Sequence, residues 1–174
     1  MPQTEASAPA VDTAFVEDFL PRWLDAWNSH DAERLLPLMT EDITYDDSAW
    51  PTTMHGHADV REFLRHIWTA FPDMRFEVKD GPFLHPTKAS ATTSWIGWAT
   101  HTGRVDPPGI APTGRQVTFE GFDLHEYRDG KVSRLWICFD MAAIARDLGV
   151  LPAIGSRAEQ LTAKLANLQT RLRR

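Results

Sequence analysis

The sequence predicts an α+β fold, with helices gathered on one face of a mixed, mostly antiparallel sheet. Two observations carry this prediction. Apolar residues recur with helical spacing early and late in the chain and alternate with a period of two in between. The segment Arg128-Asp129-Gly130-Lys131 also places an Asp-Gly turn between two alternating runs, the strongest short-range signal of a hairpin.

Composition bounds the rest. A chain of 174 residues suits one domain with a real core, and 43% hydrophobic with 24% charged residues is an ordinary soluble balance. A net charge of -6, with no basic patch interleaved with aromatics, argues against nucleic-acid binding. The single cysteine, Cys138, excludes an internal disulfide and gives no zinc-ligand spacing. No apolar run reaches the length of a membrane span, and the first residues lack a basic-then-apolar leader, so a cytoplasmic protein is expected.

Residues 1–11, rich in Pro, Ala, Ser and Thr, read as a flexible tail. Asp12 can cap a helix whose stripe is Phe15, Phe19, Trp23 and Trp27, with Pro21 expected to kink or restart it. Asn28-Ser29-His30-Asp31 breaks that helix and caps a second, running to about Met39. A short strand, Ile43 to Asp47, carries Tyr45 and Asp47 on one face. A loop around Trp50-Pro51 and the turn His55-Gly56-His57 lead into a third helix from Ala58 to about Phe71. His30-Asp31 and the His55/His57 pair lack further metal-ligand partners, so they read as caps and turns.

Strands follow at Met74 to Lys79, roughly Ala89 to His101, and Val117 to Tyr127, the last returning through the turn as Val132 to Asp140. Gly97 and Ala99 beside Trp95 suit a curved strand or one that makes room for a ligand. The irregular loop between His101 and Arg115, with Pro107-Pro108, has the length of a functional lid. A short helix from Met141 ends at Gly149. Ser156 and Glu159 form a capping box for a last helix carrying Leu161, Leu165, Leu168 and Leu172 at heptad-like spacing, with Arg171, Arg173 and Arg174 at its end. That stripe supports docking or dimer contacts.

A two-residue turn fixes the hairpin register: Arg128 faces Lys131, so Asp123 faces Trp136, Gly121 faces Cys138, Phe119 faces Asp140 and His125 faces Arg134. These eight share one face. Phe122, Leu124, Leu135, Ile137 and Phe139 make the other face, which is core or interface. Asp123 in mid-strand has two readings: it sits on a solvated face, or it lines a closed pocket. Burial in a pocket would raise its pKa towards that of a proton-transfer group.

Several short motifs, taken together, resemble the SnoaL-like polyketide cyclase (ester cyclase) branch of the NTF2-like superfamily. They are Ala26-Trp27-Asn28-Ser29-His30-Asp31, His55-Gly56-His57 continuing to Leu64, Phe71-Pro72-Asp73, His101-Thr102-Gly103, Pro112-Thr113-Gly114-Arg115, Gly121-Phe122-Asp123, and Asp129-Gly130-Lys131-Val132 followed by Trp136 and Asp140. The resemblance implies an NTF2-like cone over residues 12–150: a strongly curved sheet whose N-terminal helices close a largely apolar pocket, with 151–174 as an extra helical extension. It implies a homodimer through the outer sheet face. It assigns Asp123 as acid/base and His101 as the partner that positions or polarises a carbonyl, with Asn28 as a further polar contact. Trp136, Tyr45, Asp47, Trp27, Phe119 and Asp140 complete the expected substrate-binding set.

The implied chemistry is cyclisation or isomerisation of a hydrophobic carbonyl compound, with no metal and no organic cofactor. Neither nucleic acid nor membrane is an expected partner. Two alternatives stand beside it. One is epoxide opening by an acid pair such as Asp47 with Asp123, since Gly121 replaces the Arg that limonene-type epoxide hydrolases carry two residues before the strand Asp. The other is a binding or dimerisation module without catalysis.

Overall fold

The computed structural model describes residues 11–172. Helix α1 spans Thr13–Asn28, opened by Asp12, whose carboxylate accepts the Phe15 N–H at 2.7 Å. It runs through Pro21 without a restart. Glu17, whose carbonyl loses its bond there, and Pro21 are both exposed, so water can take the freed carbonyl. Of the expected tail, residues 1–10 lie outside the described residues, and Val11 packs against the core. Asp31 caps a single turn, α2 (Ala32–Leu35), shorter than expected. Pro37 supplies no N–H for a further turn, Leu36–Leu38 tighten into a 3-10 turn, and strand β1 (Met39–Asp47) begins at once.

The remaining elements are β2 (Met54–His55), α3 (Gly56–Ala70), β3 (Arg75–Leu84), β4 (Ser90–Thr100), β5 (Gln116–Arg128), β6 (Lys131–Phe139), α4 (Met141–Asp147) and α5 (Arg157–Leu172). They form one curved six-stranded sheet in the order β2-β1-β6-β5-β4-β3. Among the described strands only β1 and β6 are parallel; every other pair is antiparallel. Helix α1 packs towards β3 and α3 towards β1. The buried aromatic stripe of α1 therefore lies over the inner sheet face, with Val60, Phe63 and Leu64 of α3 beside it.

The β5–β6 hairpin turns as expected, with Asp129 at φ 54° and Gly130 at φ 74°. Its register does not persist. Arg128 pairs with Lys131 and Tyr127 with Val132, but Glu126 then pairs with Arg134, leaving Ser133 as an extra residue in β6. Its hydroxyl donates to the Glu126 carbonyl at 3.1 Å. One inserted residue moves every later β6 side chain to the opposite face. Asp123 therefore faces Ile137 rather than Trp136, His125 faces Leu135 rather than Arg134, and Gly121 faces Phe139 rather than Cys138. Leu135, Ile137 and Phe139 point inward, while Trp136 and Phe122, both at least half exposed, point outward. Beyond Gly149, α5 is capped by Ser156 and Glu159 as expected, and no residue of it is buried. Arg173 and Arg174 lie outside the described residues.

Candidate active site

The inner sheet face, α1, α3, α4 and the loop after β4 enclose a cavity of about 300 Å³. Its wall is apolar and aromatic: Trp23 and Trp27 from α1, Phe63 from α3, Trp95 from β4 and Phe119 from β5. Among the described residues lining it, only Asp47 and Asp123 are ionisable. Gly121 leaves room for this packing, because a Cβ there would stand 2.5 Å from the Trp95 ring.

Asp123 lies in the middle of β5, 6% exposed. Its Oδ1 accepts the N–H of Thr93 on β4 at 3.1 Å. Its Oδ2 lies 3.1 Å from Nε2 of His125, two residues on and on the same strand face. That contact has ion-pair distance but misses hydrogen-bond alignment, which leaves Nε2 without a hydrogen-bond partner in this geometry. The other ring nitrogen, Nδ1, lies 3.0 Å from the Tyr127 hydroxyl. A carboxylate can only accept, so Nε2 carries the proton of the neutral ring and Nδ1 accepts from Tyr127. Burial, and then the Asp123 charge, raises the Tyr127 pKa and keeps its hydroxyl a donor. The rings of Phe19 and Trp23 meet the His125 ring edge-on and fix its plane. Asp123, His125 and Tyr127 thus form a polar row along one strand.

Asp47 is the second acid. Its Oδ2 accepts the Tyr45 hydroxyl and its Oδ1 the Ala49 N–H, both at 2.8 Å. Burial nevertheless outweighs these two bonds and pushes its pKa up to about 6. Asp47 and Asp123 both pair with Ile137, one from each side. They stand in one row on one face, two strand spacings or about 10 Å apart at the backbone. Tyr45 is fully buried behind Asp47 and is not itself part of the wall.

The other expected site residues divide sharply. Trp27 and Phe119 line the cavity. Trp136 does not, because the bulge at Ser133 turns it outward. Asn28 is a structural clamp: its amide donates to the Phe76 carbonyl at 2.9 Å and accepts the Phe76 N–H at 2.8 Å, tying the end of α1 to β3. Asp140 caps α4 through the Ala143 N–H at 2.9 Å. His101 is fully buried yet absent from the cavity wall. Its Nδ1 accepts the Thr113 N–H at 3.3 Å and lies 3.2 Å from the Thr113 hydroxyl, closing the base of the 101–115 loop, while Phe71 packs on its ring. The following Gly103 is required by close approach: a Cβ there would stand 1.9 Å from the Thr69 carbonyl oxygen. Thr102 and Gly103 both donate to the Ala70 carbonyl, so the His-Thr-Gly segment fastens the loop to the end of α3. Val105, Pro107, Pro108 and Ile110 of that loop then reach the cavity wall, as a lid would.

His125 and Tyr127 are the residues that sequence reasoning passed over. Their signal was the i, i+2, i+4 spacing from Asp123, which puts all three on one strand face.

Among solved structures, AclR from Streptomyces galilaeus is 24% identical, covers 93% of this chain and 98% of its own, and superposes with a TM-score of 0.68. TsrD from Streptomyces laurentii is 21% identical over 81% of this chain and 99% of its own, with a TM-score of 0.68. An NTF2-like protein from Exiguobacterium is 22% identical over 71% of this chain and 98% of its own, with a TM-score of 0.57. At these identities the likeness carries the fold. No curated protein matches the chain. The model of the SnoaL-like polyketide cyclases matches residues 17–148, and the chain belongs to that family.

Proposed function

We propose that this chain is an acid/base catalyst for intramolecular aldol-type cyclisation or isomerisation of a hydrophobic carbonyl compound. One observation carries the reading: Asp123 is buried in an apolar cavity, held by Thr93 and His125 rather than neutralised by Arg134, which faces away on the outer side. As carboxylate, Asp123 removes a proton from carbon activated by neighbouring carbonyls. The resulting enolate attacks a second carbonyl of the same molecule, and protonated Asp123 returns the proton to the new alkoxide. The step is proton-neutral overall and asks no cofactor of the protein. The cavity holds both ends of the substrate near each other, where proximity is worth several kcal/mol, on the order of 7 or more in favourable cases. His125, oriented by Tyr127, holds Asp123 in place.

The test is a screen of polycarbonyl esters for cyclisation, with Asp123→Asn as the control. The variant should lose about 10²- to 10⁴-fold in turnover while still binding substrate. Cyclisation at an undiminished rate would sink the assignment.

A second reading is favoured by Asp47, which lines the same cavity with a pKa raised to about 6. An acid that holds its proton at one end and a carboxylate at the other suit epoxide opening. Incorporation of labelled water into an epoxide substrate, lost in both Asp47→Asn and Asp123→Asn, would select it. We further propose a homodimer through the outer sheet face, supported by the outward Phe122 and Trp136, 57% and 50% exposed.

A further inference from the structure

Among the described residues, helix α5 buries no side chain against the body of its own subunit. All residues from 160 to 172 are exposed, including Leu161, Leu165, Leu168 and Leu172 at 54–78% exposure. A lone helix of 16 residues is marginal in water, and its stability must come from packing of its apolar stripe. The stripe is narrow. The leucines step by four, three and four residues, the a/d seam of a coiled coil, and Ala158 extends the same pattern back to the first turn of the helix. Ile154 and Leu151 are exposed as well, at 77% and 41%.

We infer that α5 pairs with α5 of a second copy, parallel and in register, along this leucine seam. The charges flanking the seam choose the partner and its direction. Arg157, Lys164 and Arg171 occupy one flank at seven-residue intervals, and Thr162 and Gln169 occupy the other. In a parallel pair Arg157 meets Thr162 and Lys164 meets Gln169 of the second copy, so no like charges face each other. The antiparallel pair of greatest overlap puts Lys164 against Arg171 twice, which is unfavourable. A membrane surface is the poorer occupant, because helices that lie in it carry a wide apolar face with aromatic residues. Helix α5 has neither.

The test uses the full chain with Cys138→Ser, to which Leu172→Cys is added. In a parallel pair the two introduced thiols face each other, and mild oxidation should give a covalent dimer in high yield. In an antiparallel pair they stand about 16 Å apart along the axis and cannot bridge. In the native sequence, Leu165→Asp should raise the dissociation constant of the α5-dependent assembly at least about tenfold, by light scattering. Because Leu165 is exposed, near-ultraviolet dichroism of the body should not change. Three outcomes overturn the inference: bridging only between Leu161→Cys and Leu172→Cys chains, an assembly state lost with Trp136→Glu but untouched by Leu165→Asp, or helicity that rises with anionic vesicles and not with protein concentration.

Discussion

His101 and His125 are both buried, at 0% and 1% exposure, and each leaves Nε2 without an aligned hydrogen bond. By burial alone they are indistinguishable, and the motif pattern favoured His101. Their surroundings separate them. His101 holds Thr113 and carries a lid from behind, with no acid among its hydrogen-bond partners. His125 stands between a carboxylate that opens onto the cavity and a tyrosine that orients it. A buried histidine becomes part of a site through its neighbours.

The contrast is broken or sharpened most strongly by truncating each ring. His125→Ala should lower turnover about 100-fold through loss of the group that positions Asp123, with a smaller change in KM. His125→Gln should recover part of the loss, since its amide can still donate towards Asp123. His101→Ala should instead cost about 2 kcal/mol of stability, as a cavity-forming change, and alter turnover only severalfold through the lid. Reversed results for the two alanine variants, in kinetics and chemical denaturation, would dissolve the distinction.

Proton linkage gives the next test. Asp47, with its pKa raised to about 6, stays protonated longer in the folded state than in the unfolded chain. Its contribution therefore falls as pH rises from about 4 to 6, and above 6 it costs on the order of 3 kcal/mol. Asp47→Asn should be more stable than the native chain at pH 7 and lose that advantage near pH 4. Carboxyl-carbon titration should find the transition near 6. His101 acts in the opposite direction. Burial lowers its pKa, so stability is retained above the unfolded value of about 6.5 and declines as pH falls below it. His101→Gln should flatten that acid limb, while Asp47→Asn leaves it intact. The smallest effect belongs to Tyr127→Phe, which removes one hydrogen bond worth about 1 kcal/mol and should slow turnover less than tenfold.

Much of the fold was legible because each element announces itself locally. Asp12 and Asp140 cap helices, Asp129-Gly130 turns a hairpin, and the period of α1 marks its buried stripe. The position of Asp123 on the inner face was legible through alternation and the family motif. What escaped were features decided between segments. The clamp of Asn28 on Phe76 joins residues 48 apart, and no local pattern reports it. Asp140 was placed on the Asp123 face by counting, yet the strand ends one residue earlier. His125 was placed on the Asp123 face but given no role, because strand alternation tells side but not depth.

The extra residue at Ser133 makes the return strand behave like a reading frame in three dimensions. Upstream of it, odd and even positions of β6 have one meaning; downstream they exchange it. Deleting Ser133 would remove little at the deletion itself beyond the hydroxyl's bond to the Glu126 carbonyl. It would direct Trp136 and Cys138 into the cavity and Leu135, Ile137 and Phe139 out of it, removing the side chain that now separates the two acids. A substitution along this strand changes one side chain, whereas a single-codon loss exchanges every inward side chain of β6 beyond it, Ile137 and Phe139 of the cavity wall among them. Libraries meant to reshape the cavity should therefore vary residue identity in β6 and leave its length alone.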